Sequence, residues 1–452
     1  MTTTPAATAP ARSNVFHRQP RQALPFAVGG EGIHVIDHTG KRYIDASGGA
    51  AVSCLGHGHP AINQAIKDQL DELAYAHSSF FTTHAAEDLA TFLAQRSPGD
   101  LDHVYFVSGG SEAVEAALKL ARQYFVEKGQ TSRRHFIARR QSYHGNTLGA
   151  LAIGGNAWRR EPFLPLLVQA HHVSPCYPYR DQLATETDDQ YAQRLADELE
   201  AKILELGPDT VAGFVAETVV GATAGALAPV GNYLQRIRAV CDKYGVLLIL
   251  DEVMSGMGRT GHLFACAQDG VVPDIMTIAK GLGAGYQPIG AMIATTRIYE
   301  TIINGSGFFQ HGHTYMGHAT ACAAALAVQH VIEKDQLLPN VLERGEQLRA
   351  ELRQTFANHP NVGDVRGRGL FVGVEFVRNR DTKETLDPAA RTHAALKKAA
   401  MAQGLMIYPM GGTIDGVLGD HVLFAPPFIC TPSDISQIVE RFAAAVGTVL
   451  PA

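Results

Sequence analysis

The sequence of 452 residues has few of the features that mark secreted, membrane-spanning or nucleic-acid-binding proteins. Its six cysteines form no CxxC pair, which favours reduced thiols in a cytosol over a disulfide framework. No apolar run reaches the roughly 18 residues that a membrane span requires. The net charge of −6 argues against a nucleic-acid partner, which calls for a basic face. We therefore expect a cytoplasmic protein with neither a membrane nor a nucleic acid as partner.

The N-terminal residues 1–23 contain no aspartate or glutamate and no apolar core of a secretory signal. Three arginines give this segment a faint likeness to an organelle transit peptide. Its threonine, alanine and proline content instead favours a flexible tail ahead of the folded part.

Glycine is abundant, at 45 residues, and short apolar runs alternate with helical patterns along the middle of the chain. Six apolar runs predict buried parallel strands, at His103–Val107, His135–Ala138, Val211–Ala216, Val246–Leu250, Asp274–Ile278 and Ala291–Ala294. Between them, helical periodicity covers Glu112–Tyr124, Ala192–Leu206 and Tyr233–Lys243. This alternation predicts a large α/β domain with a parallel sheet over residues 60–334.

The two ends of the chain follow a different pattern. Residues 32–46 predict a hairpin that turns at His38–Gly40. After residue 335, a helix over Val341–Phe356 is followed by alternating segments at Gly369–Val377 and His421–Phe424. We expect residues 24–59 and 335–452 to form one smaller α+β domain together.

An acid follows the apolar run that ends at Leu250, at the strand end where open α/β sheets bind ligands. Asp251 could hold magnesium beside a nucleoside triphosphate, hold a cationic ring nitrogen of a cofactor, or only stabilise the next turn. A nucleotide site needs the phosphate loop GxxxxGK[ST]. The only Gly-Lys pair, Gly40-Lys41, is followed by arginine, so the nucleotide alternative is disfavoured.

Three other strand ends carry residues with possible chemistry. Lys280 lies among glycines and could form a Schiff base or be a surface lysine. The glycine turn Ser108–Ser111 precedes a helix and could bind phosphate or only cap that helix. Tyr143 places an aromatic ring at a further strand end. Together, an acid, a lysine, a ring and a phosphate turn are what a phosphorylated pyridine cofactor requires.

Two His-Gly-His triplets, His57–His59 and His311–His313, raise the question of a metal site. Histidines two residues apart need a third or fourth ligand, and no cysteine or carboxylate cluster at metal spacing supplies one. No metal site is predicted.

Six motifs between residues 107 and 370 are specific in combination. They are Val107-Ser-Gly-Gly-Ser-Glu-Ala-Val-Glu115, Ser142-Tyr-His-Gly145, Leu250-Asp-Glu-Val253 with Gly258-Arg-Thr-Gly261, Ala279-Lys-Gly281, His313-Thr-Tyr315 with Gly317-His318, and Val365-Arg-Gly-Arg-Gly-Leu370. With them the sequence resembles the class-III aminotransferases, pyridoxal 5′-phosphate enzymes of fold type I, from about Pro25 to the C-terminus. The resemblance implies a large domain with a mostly parallel, seven-stranded sheet and a smaller α+β domain built from both chain ends.

The resemblance also implies roles for residues around the cofactor ring. Lys280 forms the Schiff base and then moves the proton between the substrate carbon and the cofactor. Asp251 keeps the pyridine nitrogen protonated, which makes the ring an electron sink. Tyr143 stacks on one face of the ring, and Val253 packs against the other.

At the phosphate end, the resemblance assigns binding to Gly109, Gly110 and Ser111. Thr314 is expected to complete the phosphate site of the neighbouring subunit. The implied assembly is a homodimer with active sites at the subunit interface, or a tetramer built from such dimers.

The implied reaction transfers the amino group of a primary amine or ω-amino acid to a 2-oxo acid such as pyruvate, through ping-pong aldimine and ketimine chemistry. An aminomutase or a decarboxylating transaminase would use the same Lys280 and Asp251. A non-catalytic binding protein of this fold is a further alternative, which the complete set of catalytic positions disfavours.

The sequence departs from the family pattern near the substrate. Glu-Thr at 217–218 replaces the usual Glu-Pro, and Ala319 replaces the proline of a Gly-His-Pro run. In related enzymes, Glu217 lies near the substrate amine and can pair with a mobile arginine. By the resemblance that arginine precedes the run Gly419–His421, where this chain has Gly416. A clamp for a substrate carboxylate is therefore not visible there, and the sequence names no replacement.

A second departure concerns Ala50 and Ala51, where relatives that take small aryl amines often carry a bulky aromatic residue. We expect Ala50, Ala51, Glu217 and Gly416 to belong to the substrate pocket. Two alanines predict a roomier pocket, suited to long or branched primary amines without an α-carboxylate.

Overall fold

The computed structural model describes residues 13–451, so the tail predicted over residues 1–23 lies partly outside the described residues. The strands are β1 (Ala27–Glu31), β2 (His34–Asp37), β3 (Arg42–Asp45), β4 (Leu101–Val107), β5 (His135–Arg139), β6 (His171–Val173), β7 (Val211–Glu217), β8 (Leu247–Asp251), β9 (Ile275–Ile278), β10 (Gly290–Thr295), β11 (Val362–Arg368), β12 (Phe371–Phe376), β13 (Leu405–Met406), β14 (Tyr408–Gly411) and β15 (Asp420–Phe424).

The helices are α1 (Gly48–Ala51), α2 (Pro60–Glu72), α3 (His84–Ala94), α4 (Gly110–Glu127), α5 (Leu148–Ile153), α6 (Ala157–Arg160), α7 (Pro178–Asp181), α8 (Asp188–Leu206), α9 (Tyr233–Tyr244), α10 (Thr296–Asn304), α11 (Ala319–Lys334), α12 (Leu337–Thr355), α13 (Thr392–Ala402) and α14 (Pro432–Val449). Short 3₁₀ turns lie at Glu161–Leu166, Pro208–Thr210, Ala265–Asp269, Lys280–Leu282 and Pro388–Ala390. No helix within residues 13–451 is both long and apolar enough to cross a membrane.

A seven-stranded sheet in the order β4-β10-β9-β8-β7-β5-β6 forms the centre of the fold. The pairs β5/β6, β5/β7, β7/β8 and β8/β9 are parallel, as their continuous apolar runs predict. The prediction of a parallel strand at Ala291–Ala294 is wrong, because β10 runs antiparallel to both β4 and β9. A strand buried on both faces has the same apolar run in either direction, so the pattern does not reveal its polarity.

The central strand β8 is entirely buried, and its side chains alternate between two hydrophobic layers. Leu248 and Leu250 pack with residues of α8 and α9 on one face of the sheet. Leu247 and Ile249 pack with residues of α4 on the other face. Helices on both faces keep this strand dry, and its carboxyl end places Asp251 at the edge of the sheet.

Two four-stranded sheets lie outside this centre. The predicted N-terminal hairpin is confirmed as β2 and β3, which join β1 and, in parallel, β13 in the order β1-β2-β3-β13. The other sheet is antiparallel, in the order β11-β12-β15-β14. The pairing of β3 with β13 joins the two ends of the chain in one sheet, and the domain boundaries at residues 59 and 334 stay predictions.

Candidate active site

A cavity of about 550 Å³ opens at the edge of the central sheet where its parallel strands end. Among the residues proposed from the sequence, the following line it: Ala50, Gly109, Gly110, Ser111, Tyr143, Glu217, Asp251, Val253 and Lys280. They are separated by up to 230 positions in the sequence. All of them except Ala50, which lies in α1, end or follow strands of the central sheet, and these meet because the strands deliver their carboxyl ends to one edge. The residues before β10, Gln287 to Ile289, complete the wall because β10 begins at this edge.

Lys280 follows β9 and begins a short 3₁₀ turn at the floor of this cavity. Its backbone has a φ of 45°, a left-handed conformation that L residues rarely adopt and that often marks functional sites. Burial lowers the pKa of the Lys280 ammonium to about 8, although the negative charges of Asp251 and Glu217 act in the opposite direction. A lysine with this pKa has an accessible free amine near neutral pH, as a nucleophile requires.

Asp251 is buried, and two donors fix its carboxylate. Its Oδ2 lies 2.8 Å from Nδ1 of the buried His144, and its Oδ1 accepts a hydrogen bond of 2.9 Å from the Val253 N–H. The other ring nitrogen of His144, Nε2, is buried without a partner among residues 13–451. His144 belongs to the motif Ser142–Gly145, whose pattern predicts no role for it, and the structure shows it as the group that orients Asp251.

The turn Gly109–Ser111 forms the N-terminus of α4, whose first N–H groups have no partner within the helix. A Cβ on Gly110 would lie 2.7 Å from Cγ1 of Val253, so only glycine fits there without displacement. Ser111 Oγ accepts a hydrogen bond of 3.0 Å from the Asn146 N–H, which ties this turn to the segment after β5. Free N–H groups and the positive end of the helix dipole favour an anion at this end of the cavity.

Glu217, at the end of β7, is buried and binds backbone N–H groups instead of a cation. Its Oε1 accepts from Tyr143 at 3.0 Å and its Oε2 from Gly221 at 2.9 Å, while burial raises its pKa. This carboxylate fixes the backbone of Tyr143, whose ring lines the cavity.

The Thr218 that replaces the family proline connects β7 to the segment after β8. Its N–H donates to the Asp251 carbonyl at 3.2 Å, and its hydroxyl donates to Glu252 Oε1 at 2.9 Å. Proline offers neither donor, so this departure has a structural consequence next to Asp251.

Three proposed residues lie outside the cavity wall. Ala51 is buried in an apolar cluster that also contains Met254 and Phe371. Gly416 has a φ of 92°, and a Cβ on it would lie 3.0 Å from the Trp158 nitrogen. Thr314 is exposed, and its carbonyl accepts a hydrogen bond of 2.7 Å from the Tyr75 hydroxyl. Its expected role concerns a second subunit and stays a prediction.

The donor set fits a phosphorylated pyridine. An anion site at the α4 N-terminus, a fixed carboxylate, an aromatic ring and a low-pKa lysine share one cavity wall. The two His-Gly-His triplets lie elsewhere, and the described residues contain no group of three or more potential metal ligands.

Comparisons with known proteins agree with this chemistry. The family model for class-III aminotransferases matches residues 15–446. An aminotransferase of Schizosaccharomyces pombe is 44% identical over 453 residues, which cover 100% of this chain and 99% of the relative. A thermostable (S)-enantioselective ω-transaminase from Thermomicrobium roseum superposes with a TM-score of 0.90 at 37% identity, over 96% of this chain and 94% of that one.

The ω-transaminase from Pseudomonas jessenii in complex with PMP also superposes with a TM-score of 0.90, at 34% identity, over 96% of this chain and 95% of that one. Family match, sequence identity and shared architecture lead to the same result. The chain belongs to the class-III aminotransferases, enzymes of fold type I that use pyridoxal 5′-phosphate.

Proposed function

We propose that this aminotransferase moves the amino group of a primary amine or ω-amino acid to a 2-oxo acid such as pyruvate. One observation carries the proposal: the cavity that contains Lys280 also has an apolar stretch of wall, formed by Val52, Val219, Ala222 and Met254. A hydrocarbon substituent on the amine-bearing carbon gains free energy by burial against that stretch. A charged group on the amine-bearing carbon itself, such as an α-carboxylate, would gain nothing there.

In this proposal the cofactor is held at three points. The N–H groups of Gly109–Ser111 would bind the phosphate, and Asp251, oriented by His144, would hold the proton on the ring nitrogen. Tyr143 fixes the plane of the ring. Pyridoxal 5′-phosphate, when bound, supplies an electron-withdrawing ring that stabilises negative charge on the substrate carbon.

Lys280 is the residue that would bond the cofactor, and its amine would move the proton at the substrate carbon. It lines the same cavity as Asp251 and the apolar stretch, so a donor bound there shares one cavity with its amine. With a pKa near 8 the amine can both accept and return a proton near neutral pH.

The substrate end is proposed to accept long or branched amines because Ala50 contributes only a methyl group to the wall. The experiment is a panel of short, long and branched primary amines, short α-amino acids and an α,α-dialkyl amino acid, with pyruvate as acceptor and with alanine and carbon dioxide measured as products. Alanine without carbon dioxide supports amine transamination. Release of carbon dioxide would indicate a decarboxylating transaminase. Formation of an isomerised amine in the absence of pyruvate would indicate an aminomutase. A strict preference for a short α-amino acid would refute the proposed donor class.

The active form is proposed to be a homodimer in which Thr314 reaches the neighbouring phosphate site. Exposed aromatic side chains occur on both sides of Thr314 in the sequence and on an earlier loop: Phe80, Phe81, Phe308 and Tyr315. Large exposed rings are typical of surfaces that another subunit covers. Sedimentation of the protein distinguishes monomer, dimer and tetramer, and a monomer with full activity would refute this assembly.

A cytoplasmic location is proposed because all six cysteines are free and buried. Unpaired thiols are typical of reducing compartments. Fractionation of cells that produce the protein tests this location.

A further inference from the structure

Arg159 is a cation in the cavity wall without a counter-charge. Its side chain lines the same cavity as Lys280. Its Nε is buried without a hydrogen-bond partner, and within residues 13–451 no carboxylate forms an ion pair with its guanidinium. The acids of this wall are engaged elsewhere, Asp251 with His144 and Glu217 with two backbone N–H groups. A guanidinium left unpaired beside a cavity favours an anionic ligand.

The position of Arg159 is well defined. It lies in the last turn of the short helix α6, where Asn156 Oδ1 accepts a hydrogen bond of 3.2 Å from the Arg159 N–H. The Asn156 side chain in turn donates to Gln141 Oε1 at 3.2 Å. The guanidinium carbon lies 4.7 Å from the centroid of the Tyr143 ring, a cation–π distance that holds it beside the reaction site.

The loop that contains Gly416 packs on the same helix and offers no charge of its own toward the cavity. Hydrogen bonds from Gly412 to Gly419 at 2.7 Å and from Ile414 to Leu418 at 2.9 Å close this loop on itself. A side chain at Gly416 would meet the Trp158 backbone. A side chain that binds a carboxylate therefore has to come from another element, and α6 is the helix that packs against this loop.

We infer that Arg159 binds the carboxylate of the 2-oxo acid acceptor. The inference rests on the proposed function, because a 2-oxo acid always brings a carboxylate into this cavity whatever the amine donor is. The planar guanidinium offers paired N–H donors that match the two carboxylate oxygens. Arg18 also lines the cavity but is exposed, so water and salt weaken its attraction for the same group.

The test compares pyruvate with pyruvamide, which has nearly the same size and no charge, using one amine donor throughout. In Arg159→Leu, kcat/KM for pyruvate is expected to fall roughly 10- to 100-fold, mostly through KM, while kcat/KM for pyruvamide changes less than about 3-fold. Arg159→Lys is expected to retain part of the preference, because a lysine keeps the charge but not the paired geometry.

Arg160→Leu is the matched control, because Arg160 adjoins Arg159 in α6 and does not line the cavity. It is expected to leave both acceptors unchanged. An equal loss for both acceptors in Arg159→Leu, or a pyruvate-specific loss in Arg18→Leu instead, would overturn the inference. If Arg159→Leu does not fold, an unchanged acceptor preference in Arg159→Lys and Arg159→Gln overturns it as well. Wild-type protein that turns over no amine with pyruvate would refute the proposed function itself.

Discussion

The two ends of the cavity are built differently. At the cofactor end, Asp251 and Glu217 are the last residues of buried central strands, and each carboxylate oxygen has a defined donor. At the substrate end, Ala50 lies in the irregular four-residue α1 with a φ of 72°, and Arg159 lies on the four-residue α6 without an ion pair to its guanidinium in the described part of the chain. A side chain at the end of a buried strand is held in the precise position that catalysis requires. Residues in turns can vary without disturbing the sheet. The chemistry is thus built into the sheet, and substrate choice into the turns around it.

The largest effect should come from Lys280→Ala, at the cofactor end. We expect kcat to fall by roughly 10³-fold or more, because both the covalent bond to the cofactor and proton transfer are lost. Single-turnover spectra with an amine donor measure this loss. Thermal unfolding should be nearly unchanged, and a variant with substantial turnover would contradict the role of Lys280.

Asp251→Asn should follow, with kcat lower by roughly 10²- to 10³-fold, because an amide cannot hold the ring proton as a carboxylate does. His144→Gln should cost only about 10-fold, since it loosens the carboxylate without removing it. Steady-state rates at saturating cofactor measure both. The reverse order, with His144→Gln the more damaging, would show that the carboxylate is not the group in contact with the ring.

The pKa of Lys280 predicts how cofactor capture depends on pH. Below about 8 the ammonium form dominates and cannot form the bond, so the rate at which cofactor-free protein binds pyridoxal 5′-phosphate should rise roughly 10-fold per pH unit and level off above pH 8. Stopped-flow absorbance measures this rate. Asp251→Asn should move the plateau to lower pH, because Asp251 raises the lysine pKa. A rate that keeps rising to about pH 10, as for an exposed lysine, would contradict the burial of this amine.

The smallest effect on chemistry should come from Gly416→Arg, at the substrate end. The positive φ and the contact with Trp158 predict a loss of about 1–3 kcal/mol in the free energy of unfolding. Val417→Arg is the matched control, since Val417 is 64% exposed, and it should leave stability unchanged. Denaturant unfolding compares the two variants. A Gly416→Arg protein of normal stability with improved pyruvate binding would show that the loop can host the clamp after all.

The same contrast explains what could be predicted from the sequence. The strands at β5, β7 and β8 were predictable because burial on both faces demands continuous apolar runs. The polarity of β10 was not, because the same run serves either direction. Strand β11 was missed, since its sequence VGDVRGR carries three charged residues in seven and alternates only weakly.

At the site, residues that directly follow strands were predictable, because their place at the sheet edge depends on the strand alone. The roles of His144 and Arg159 were not predictable. His144 acts through its contact with Asp251, which is distant in sequence, and Arg159 contacts Tyr143 from a separate element. For Gly416, a pocket position was expected from the resemblance, and only the folded loop reveals that Trp158 occupies the space beside it.

The central claim is that Lys280 joins the cofactor at the sheet edge. Borohydride reduction of the protein loaded with pyridoxal 5′-phosphate, followed by proteolysis and mass spectrometry, identifies the modified lysine. We expect the pyridoxyl group on the peptide that contains Lys280 and on no other. Modification at a different lysine, or none in a fully loaded protein, would contradict the assignment of this cavity as the active site.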